Sequence, residues 1–359
     1  MALTVAGCVA ASSLSGFLGG YIANSPGPVF AAPGGGAEIS YQSAVHQLAA
    51  DVVASDTVMT VPAAAAVIKQ TVVEITTERV TRSGRLGQFA VTGAGSGIII
   101  SGDGYIVTNY HVINDASGVT ARLANGNEYV ADIRAYDAKT DLALLKINAT
   151  GLTPAVLGDS STLVVGDTAL AVGNPLGELG GTVTSGIISA LDREIVIDGE
   201  TMSLLQTDAA VNPGNSGGGL FNLRGELVGV VNAKSSGLDI DGLGFAIPIN
   251  IAKAVISDLL ENGYVQGRVD TGLSLVDIQS ATTAMLYRVN QIGLYISKSV
   301  SDELRSGDRI TALNDMSVTD LASFNAILKD RAVGDRVSVT VARGGESITV
   351  YIVLTEWRG

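Results

Sequence analysis

The segment Pro213-Gly214-Asn215-Ser216-Gly217-Gly218-Gly219 sets one serine among four glycines. Such a loop can adopt positive φ and aim several backbone N–H groups at one spot, which is what a serine nucleophile needs. An ordinary glycine turn is the plain alternative. The residues also match G-x-S-x-G, the elbow in which an acid and then a histidine come after the serine. No histidine follows Ser216, so that elbow is excluded by order alone and any base must precede the nucleophile. Of the two histidines, His46 lies in a stretch poor in large apolar residues. His111 ends the run Tyr105-Ile106-Val107-Thr108-Asn109-Tyr110-His111, where a strand would leave its sheet, and is the candidate base, with a structural histidine as the alternative. Asp141 opens Asp141-Leu142-Ala143-Leu144-Leu145-Lys146-Ile147. A carboxylate beside so apolar a strand needs a partner, unless it is simply solvated at the strand start.

Short strand-like runs at Thr71 to Ile75, Gly97 to Ile100, Tyr105 to Thr108, Leu142 to Ile147 and Ala169 to Val172 must position these groups. Turn signals such as Ser101-Gly102-Asp103-Gly104 and Ala124-Asn125-Gly126-Asn127 separate them, the pattern of an antiparallel barrel or sandwich. Ile251, Val255, Ile256, Leu259 and Leu260 then form a helical stripe that Asn250 could cap and Gly263 could end. His111, Asp141 and Ser216 fall in the order that chymotrypsin-type barrels use.

Together with Gly95-Ser96-Gly97-Ile98, Thr108-Asn109-Tyr110-His111-Val112-Ile113, Gly173-Asn174-Pro175-Leu176-Gly177, Gln206-Thr207-Asp208-Ala209-Ala210 and Gly242-Leu243-Gly244-Phe245-Ala246-Ile247-Pro248, these segments make the chain resemble an HtrA-type (Do-like) serine protease. That family joins a chymotrypsin-like double β-barrel to a PDZ domain. The resemblance covers about residues 62 to 263; Gly219 departs from it, standing where the family usually has proline. It implies that Ser216 attacks a peptide carbonyl, that His111 takes and returns the proton, and that Asp141 fixes the imidazole. An imidazole titrates near pH 6.5 in isolation, which suits it to both transfers. The N–H groups of Gly214 and Ser216, with Asn215 shaping the turn, are expected to hold the oxyanion, and losing one such donor costs about 100-fold to 1000-fold in rate. Ala210, six residues before the serine, predicts small or aliphatic P1 side chains. A substrate strand is expected to pair with Val231, Asn232, Ala233 and Lys234, the last biasing subsites toward acidic residues.

Residues 267–359 resemble a PDZ module less closely. Thr271-Gly272-Leu273-Ser274-Leu275 matches its carboxylate-binding loop, so Gly272, Leu273 and Ser274 are expected to meet a peptide C-terminus, and Arg305-Ser306-Gly307-Asp308 matches its Gly-Asp turn. The small-residue helix usual between Ile296 and Gly307 is missing or shortened, with Val300-Ser301-Asp302-Glu303 in its place, which leaves open a domain that only orients or oligomerises the protease. Leu321, Phe324 and Leu328 fall on one helical face, and Val337, Val339 and Val341 alternate through Gly344-Gly345 into Ile348, Val350 and Ile352, a hairpin.

Length and composition agree with two folded units. The chain has 359 residues, 47% of them hydrophobic, and 44 glycines, which disfavours disorder and helical bundles alike. A net charge of −13 without a basic cluster argues against nucleic acid. Cys8 is the only cysteine, so no intrachain disulfide can form, and no zinc site of His and Cys, nor any other cofactor, is expected. Ala2 to Ala23 carry no charge, and at helical rise 22 residues span about 33 Å, a membrane span. An uncleaved anchor is expected because the start lacks Lys and Arg, with signal cleavage near Ala31 as the alternative. Val5-Ala6-Gly7-Cys8 resembles a lipoprotein box but follows too short a segment, and Gly16 and Gly20 could let two anchors approach. The expected organisation is an anchor over 1–23, a tether over 24–61, a protease over 62–266 and a PDZ-like unit over 267–359. The expected activity is extracytoplasmic cleavage of misfolded or exposed envelope polypeptides, by a homotrimer if the resemblance extends that far. A protease-fold chaperone or scaffold is the alternative.

Overall fold

The computed structural model describes residues 57–83, 87–173, 181–197, 199–212, 214–233 and 243–358. The expected anchor, most of the tether, His46 and Lys234 lie outside them. Among the described residues no helix is long and apolar enough to cross a membrane.

Six strands close a first barrel in the order β1-β2-β3-β6-β5-β4: β1 (Val72–Ser83), β2 (Gly87–Ile99), β3 (Tyr105–Thr108), β4 (Gly118–Arg122), β5 (Glu128–Asp137) and β6 (Leu142–Ile147). The second unit adds β7 (Val156–Leu157), β8 (Thr168–Gly173), β9 (Thr182–Ile197), β10 (Glu200–Thr207), β11 (Gly219–Phe221), β12 (Glu226–Val231) and β13 (Gly244–Pro248). Its order is β11-β8-β9-β10-β13-β12-β7, and pairing of β11 with β12 closes a second ring. The apolar runs of β6 and β8 are explained by this doubling. Ala143, Leu145 and Ile147 fill the first barrel and Ala169 and Ala171 the second, while Leu142, Leu144, Leu170 and Val172 meet in the core between the barrels. Each such fully buried leucine contributes about 1.5–3 kcal/mol.

Helix Ile249–Asn262 packs on that shared core with Val255, Ile256, Leu259 and Leu260 of the expected stripe, but it starts earlier and without the expected cap. It buries Ile249, Ala252, Val255, Ile256 and Leu259, leaves Ile251 38% exposed, and is preceded by Pro248 rather than capped by Asn250. Asn250 instead donates from Nδ2 to Asp159 Oδ1 at 2.7 Å. Starting directly from β13 adds Ile249 and Ala252 to the same apolar face. Gly263 ends the helix at φ 80°, as its position suggests. Helix Val61–Ile68, with proline in its first turn, opens the protease unit and buries Ala64 and Ile68 in the shared core, and the Met59 N–H reaches the Leu223 carbonyl at 2.8 Å.

The C-terminal region adds β14 (Val269–Asp270), β15 (Leu273–Ile278), β16 (Gly293–Ser299), β17 (Arg309–Leu313), β18 (Met316–Ser317), β19 (Arg336–Arg343), β20 (Glu346–Val353) and β21 (Thr355–Glu356). The sheet runs β15-β16-β17-β19-β20, with β18 on β17, and β14 pairs with β21 as a separate ribbon. The expected hairpin forms in register, Val337 against Ile352, Val339 against Val350 and Val341 against Ile348. Phe324 and Leu328 of helix Leu321–Leu328 are buried beneath it. Turns and bends, not a helix, follow β16, but a short helix the sequence did not announce, Ala281–Tyr287, sits between β15 and β16 and is capped by the Ser280 hydroxyl on the Thr283 N–H. Of its seven residues only Ala284 is buried, so it carries no apolar stripe.

Candidate active site

The cleft between the barrels brings the three expected side chains together. His111 lies in the single turn Tyr110–Ile113 that follows β3, and Asp141 precedes β6 in a left-handed conformation, φ 55°, which a short polar side chain tolerates better than most. Crossed bonds hold that geometry. The Asp141 carbonyl accepts from the Tyr110 N–H at 3.1 Å and from Asn109 Nδ2 at 3.0 Å, and its Oδ1 accepts the His111 N–H at 2.8 Å. Asp141 Oδ2 lies 2.6 Å from His111 Nδ1, while His111 Nε2 lies 3.1 Å from Ser216 Oγ. A carboxylate only accepts, so Nδ1 carries the proton and Nε2 presents its lone pair to the serine. Both Asp141 and Ser216 are 6% exposed.

Asn232 is fully buried and donates from Nδ2 to Asp141 Oδ2 at 3.0 Å. The sequence placed it on the substrate edge, yet its side chain serves the acid, and its N–H bonds the Phe245 carbonyl at 2.9 Å. Val231 also departs from its expected role. Its N–H donates to the Gly218 carbonyl at 2.8 Å and its carbonyl accepts the Gly217 N–H at 3.0 Å, so strand β12 spends these groups holding the nucleophile loop. The Ala233 N–H points to Ser216 Oγ at 3.2 Å. Ala210 is exposed near the loop, its carbonyl accepting from Thr184 Oγ1 at 2.8 Å.

The loop requires glycine where its backbone is least ordinary. Gly214 has φ 101° and Gly217 φ 80°, and a Cβ on Gly217 would strike the Ser96 carbonyl and the Thr108 hydroxyl. The Asn215 N–H donates to the Asn212 carbonyl at 3.0 Å, so Asn215 shapes the turn and is not itself a donor to substrate. Among the described residues neither the Gly214 nor the Ser216 N–H has an internal acceptor. A cavity of about 220 Å³ opens beside His111, walled by Tyr110, Ala138, Lys139, Ile197 and Met202.

The turn that carries Asp141 is braced from the C-terminal side. Asp137, fully buried, accepts at Oδ2 from the Thr140 hydroxyl at 2.6 Å and from Arg268 Nη2 at 2.9 Å. Tyr136 stacks on Tyr110 with ring centroids 4.7 Å apart and meets the edge of Trp357 at 6.2 Å. A pair 131 residues apart leaves no signature in a single sequence. In the C-terminal region Gly272, φ 68°, precedes β15, and Leu273 and Ser274 pair with Ser299 and Lys298. The Gly272 N–H donates to Asp270 Oδ1 at 2.8 Å and the Leu273 N–H to Thr271 Oγ1 at 3.4 Å, so this loop's donors already face side chains of their own chain.

Comparison with known proteins agrees with this geometry. Residues 95–230 match the trypsin-like peptidase domain and residues 272–354 the PDZ domain. The serine protease Do-like HtrA of Lactobacillus helveticus is 38% identical over 293 residues, 76% of this chain and 71% of its own length. The periplasmic serine endoprotease DegP of Salmonella typhimurium is 39% identical over 272 residues; the match takes in 73% of this chain but only 57% of that protein. Among solved structures, the HtrA-type protease AlgW with a decapeptide superimposes with a TM-score of 0.54 at 30% identity, covering 83% of this chain and 99% of that one. The serine endoprotease from Yersinia pestis gives 0.51 at 33% identity, covering 84% and 100%. The chain belongs to the HtrA-type (Do-like) serine protease family, whose trypsin-like peptidase domain is followed by a PDZ domain.

Proposed function

We propose that this protein is an extracytoplasmic endopeptidase that hydrolyses peptide bonds in misfolded or exposed envelope polypeptides, with Ser216 as nucleophile, His111 as general base and then acid, and Asp141 as the residue that orients the imidazole. One observation carries the reading: the two ring nitrogens of His111 are committed to opposite partners, Nδ1 to Asp141 at 2.6 Å and Nε2 to Ser216 at 3.1 Å. As Ser216 Oγ attacks, its proton passes to Nε2, and the imidazolium is stabilised by Asp141, itself held by the Asn232 amide. The N–H groups of Gly214 and Ser216 receive the oxyanion. The proton on Nε2 then goes to the leaving amine, and water repeats the cycle on the acyl-enzyme.

Ala210 supports a preference for small or aliphatic P1 residues, and the periplasmic assignment of the DegP relatives supports a location outside the cytoplasm. The uncharged run from Ala2 to Ala23 would supply export or anchoring, and the family resemblance supports a homotrimer. An organophosphonate probe tests the chemistry. It should label Ser216 at neutral pH, and Ser216→Ala should abolish labelling and lower kcat on casein by roughly 10⁵-fold to 10⁶-fold. An unlabelled wild-type protein whose role in cells survives Ser216→Ala would instead support the scaffold reading.

A further inference from the structure

We propose that Ser96 is a positioning residue for the oxyanion site, an inference that rests on the hydrolase reading above. Ser96 belongs to β2 of the first barrel, is fully buried, and touches no reacting atom. Its Oγ donates to the Gly214 carbonyl at 2.6 Å, its N–H donates to the Ser216 carbonyl at 2.8 Å, and its own carbonyl accepts the Thr108 hydroxyl at 2.7 Å.

The geometry gives these bonds a specific task. The peptide joining Gly214 to Asn215 lies between the two peptides that carry the oxyanion donors. Ser96 Oγ holds its carbonyl, and the Asn212 carbonyl holds its N–H at 3.0 Å, so it is pinned at both ends. Gly214 lacks a Cβ and sits at φ 101°, so without the hydroxyl the peptide is held at its N–H end alone, and rotation would swing the neighbouring N–H groups off a common point. Gly95 before the serine helps it come this close: a Cβ there would lie 3.3 Å from the Ser216 carbonyl and 2.7 Å from Val112. The second barrel carries the nucleophile, and the first barrel sets the angle of its amides.

The test uses full-length Ser96→Ala and Ser96→Cys, the latter keeping size and a weak donor, with circular dichroism and thermal melting to establish folding. For Ser96→Ala, kcat on a peptide substrate should fall roughly 10-fold to 100-fold with KM within about twofold, since only a transition-state interaction is disturbed. Affinity for a peptide boronate, which places a tetrahedral oxygen in the oxyanion site, should fall by the same factor, and Ser96→Cys should lie between. A folded Ser96→Ala protein with kcat and boronate affinity within twofold of wild type overturns this inference alone. So does a variant that loses thermal stability but binds boronate normally, as does an unfolded Ser96→Ala beside a Ser96→Cys of wild-type kcat. A wild type that neither takes the organophosphonate nor cleaves overturns the hydrolase reading and this inference with it.

Discussion

The barrel cleft and the loop before β15 both satisfy a family motif, yet their backbone donors are disposed in opposite ways. In the cleft, among the described residues, Ser216 and Gly214 keep their N–H groups clear of internal acceptors, while Ser96 holds the Gly214 carbonyl and Asn232 holds Asp141. At the C-terminal loop, Asp270 takes the Gly272 N–H and Thr271 takes that of Leu273. A binding nest is defined by amides left over for a guest, and here the chain supplies a carboxylate of its own. At this loop residue type alone does not say which amides are left for a guest.

The comparison can be broken most forcefully at the junction of the two regions. Arg268→Ala leaves Asp137 buried without its cation and should cost about 3–5 kcal/mol, read by urea unfolding. A loss below about 1 kcal/mol would mean the turn carrying Asp141 stands without the brace. A smaller effect is expected in the C-terminal region itself. Burial pushes the Asp308 carboxyl up, but hydrogen bonds from Arg343 and the Arg305 N–H, with both guanidinium charges, outweigh it and hold the group below the usual carboxylate range. Its folded value is thus the lower one, so the stabilisation is complete above the ordinary aspartate range near pH 3.9 and is lost as pH falls through the folded value. Melting followed from pH 7 downward should show that loss in wild type and not in Asp308→Asn, which should start about 1.5–3 kcal/mol less stable. The smallest effect sharpens the contrast: Asp270→Ala frees the Gly272 N–H and removes a negative charge, and should tighten a labelled peptide with a free C-terminal carboxylate by roughly threefold to tenfold, with no change for its amide. Equal affinities would show that the loop takes no chain terminus.

The triad was legible because serine among glycines, histidine at a strand end and aspartate before an apolar strand, each ordinary alone, fall together in the His, Asp, Ser order. Short apolar runs broken by turns gave an antiparallel barrel or sandwich, and the family resemblance supplied the double barrel. The bond from Asn232 to Asp141 was not legible, because which way a strand side chain faces depends on pairing with β13. The face of helix Ile249–Asn262 was legible but its start was not, since that is set by the preceding strand rather than by a polar cap. Helix Ala281–Tyr287 escaped notice because it presents one small buried residue instead of a periodic face. Ser96 stood in a recognised motif, but nothing in one sequence says which carbonyl a buried hydroxyl will meet.

The seam between the barrels has a further consequence. Histidine and acid come from one lobe and nucleophile from the other, and the loop bearing the nucleophile is fastened to both. A newly made or half-folded copy of this chain accordingly has no cutting edge until each lobe has closed on its neighbour.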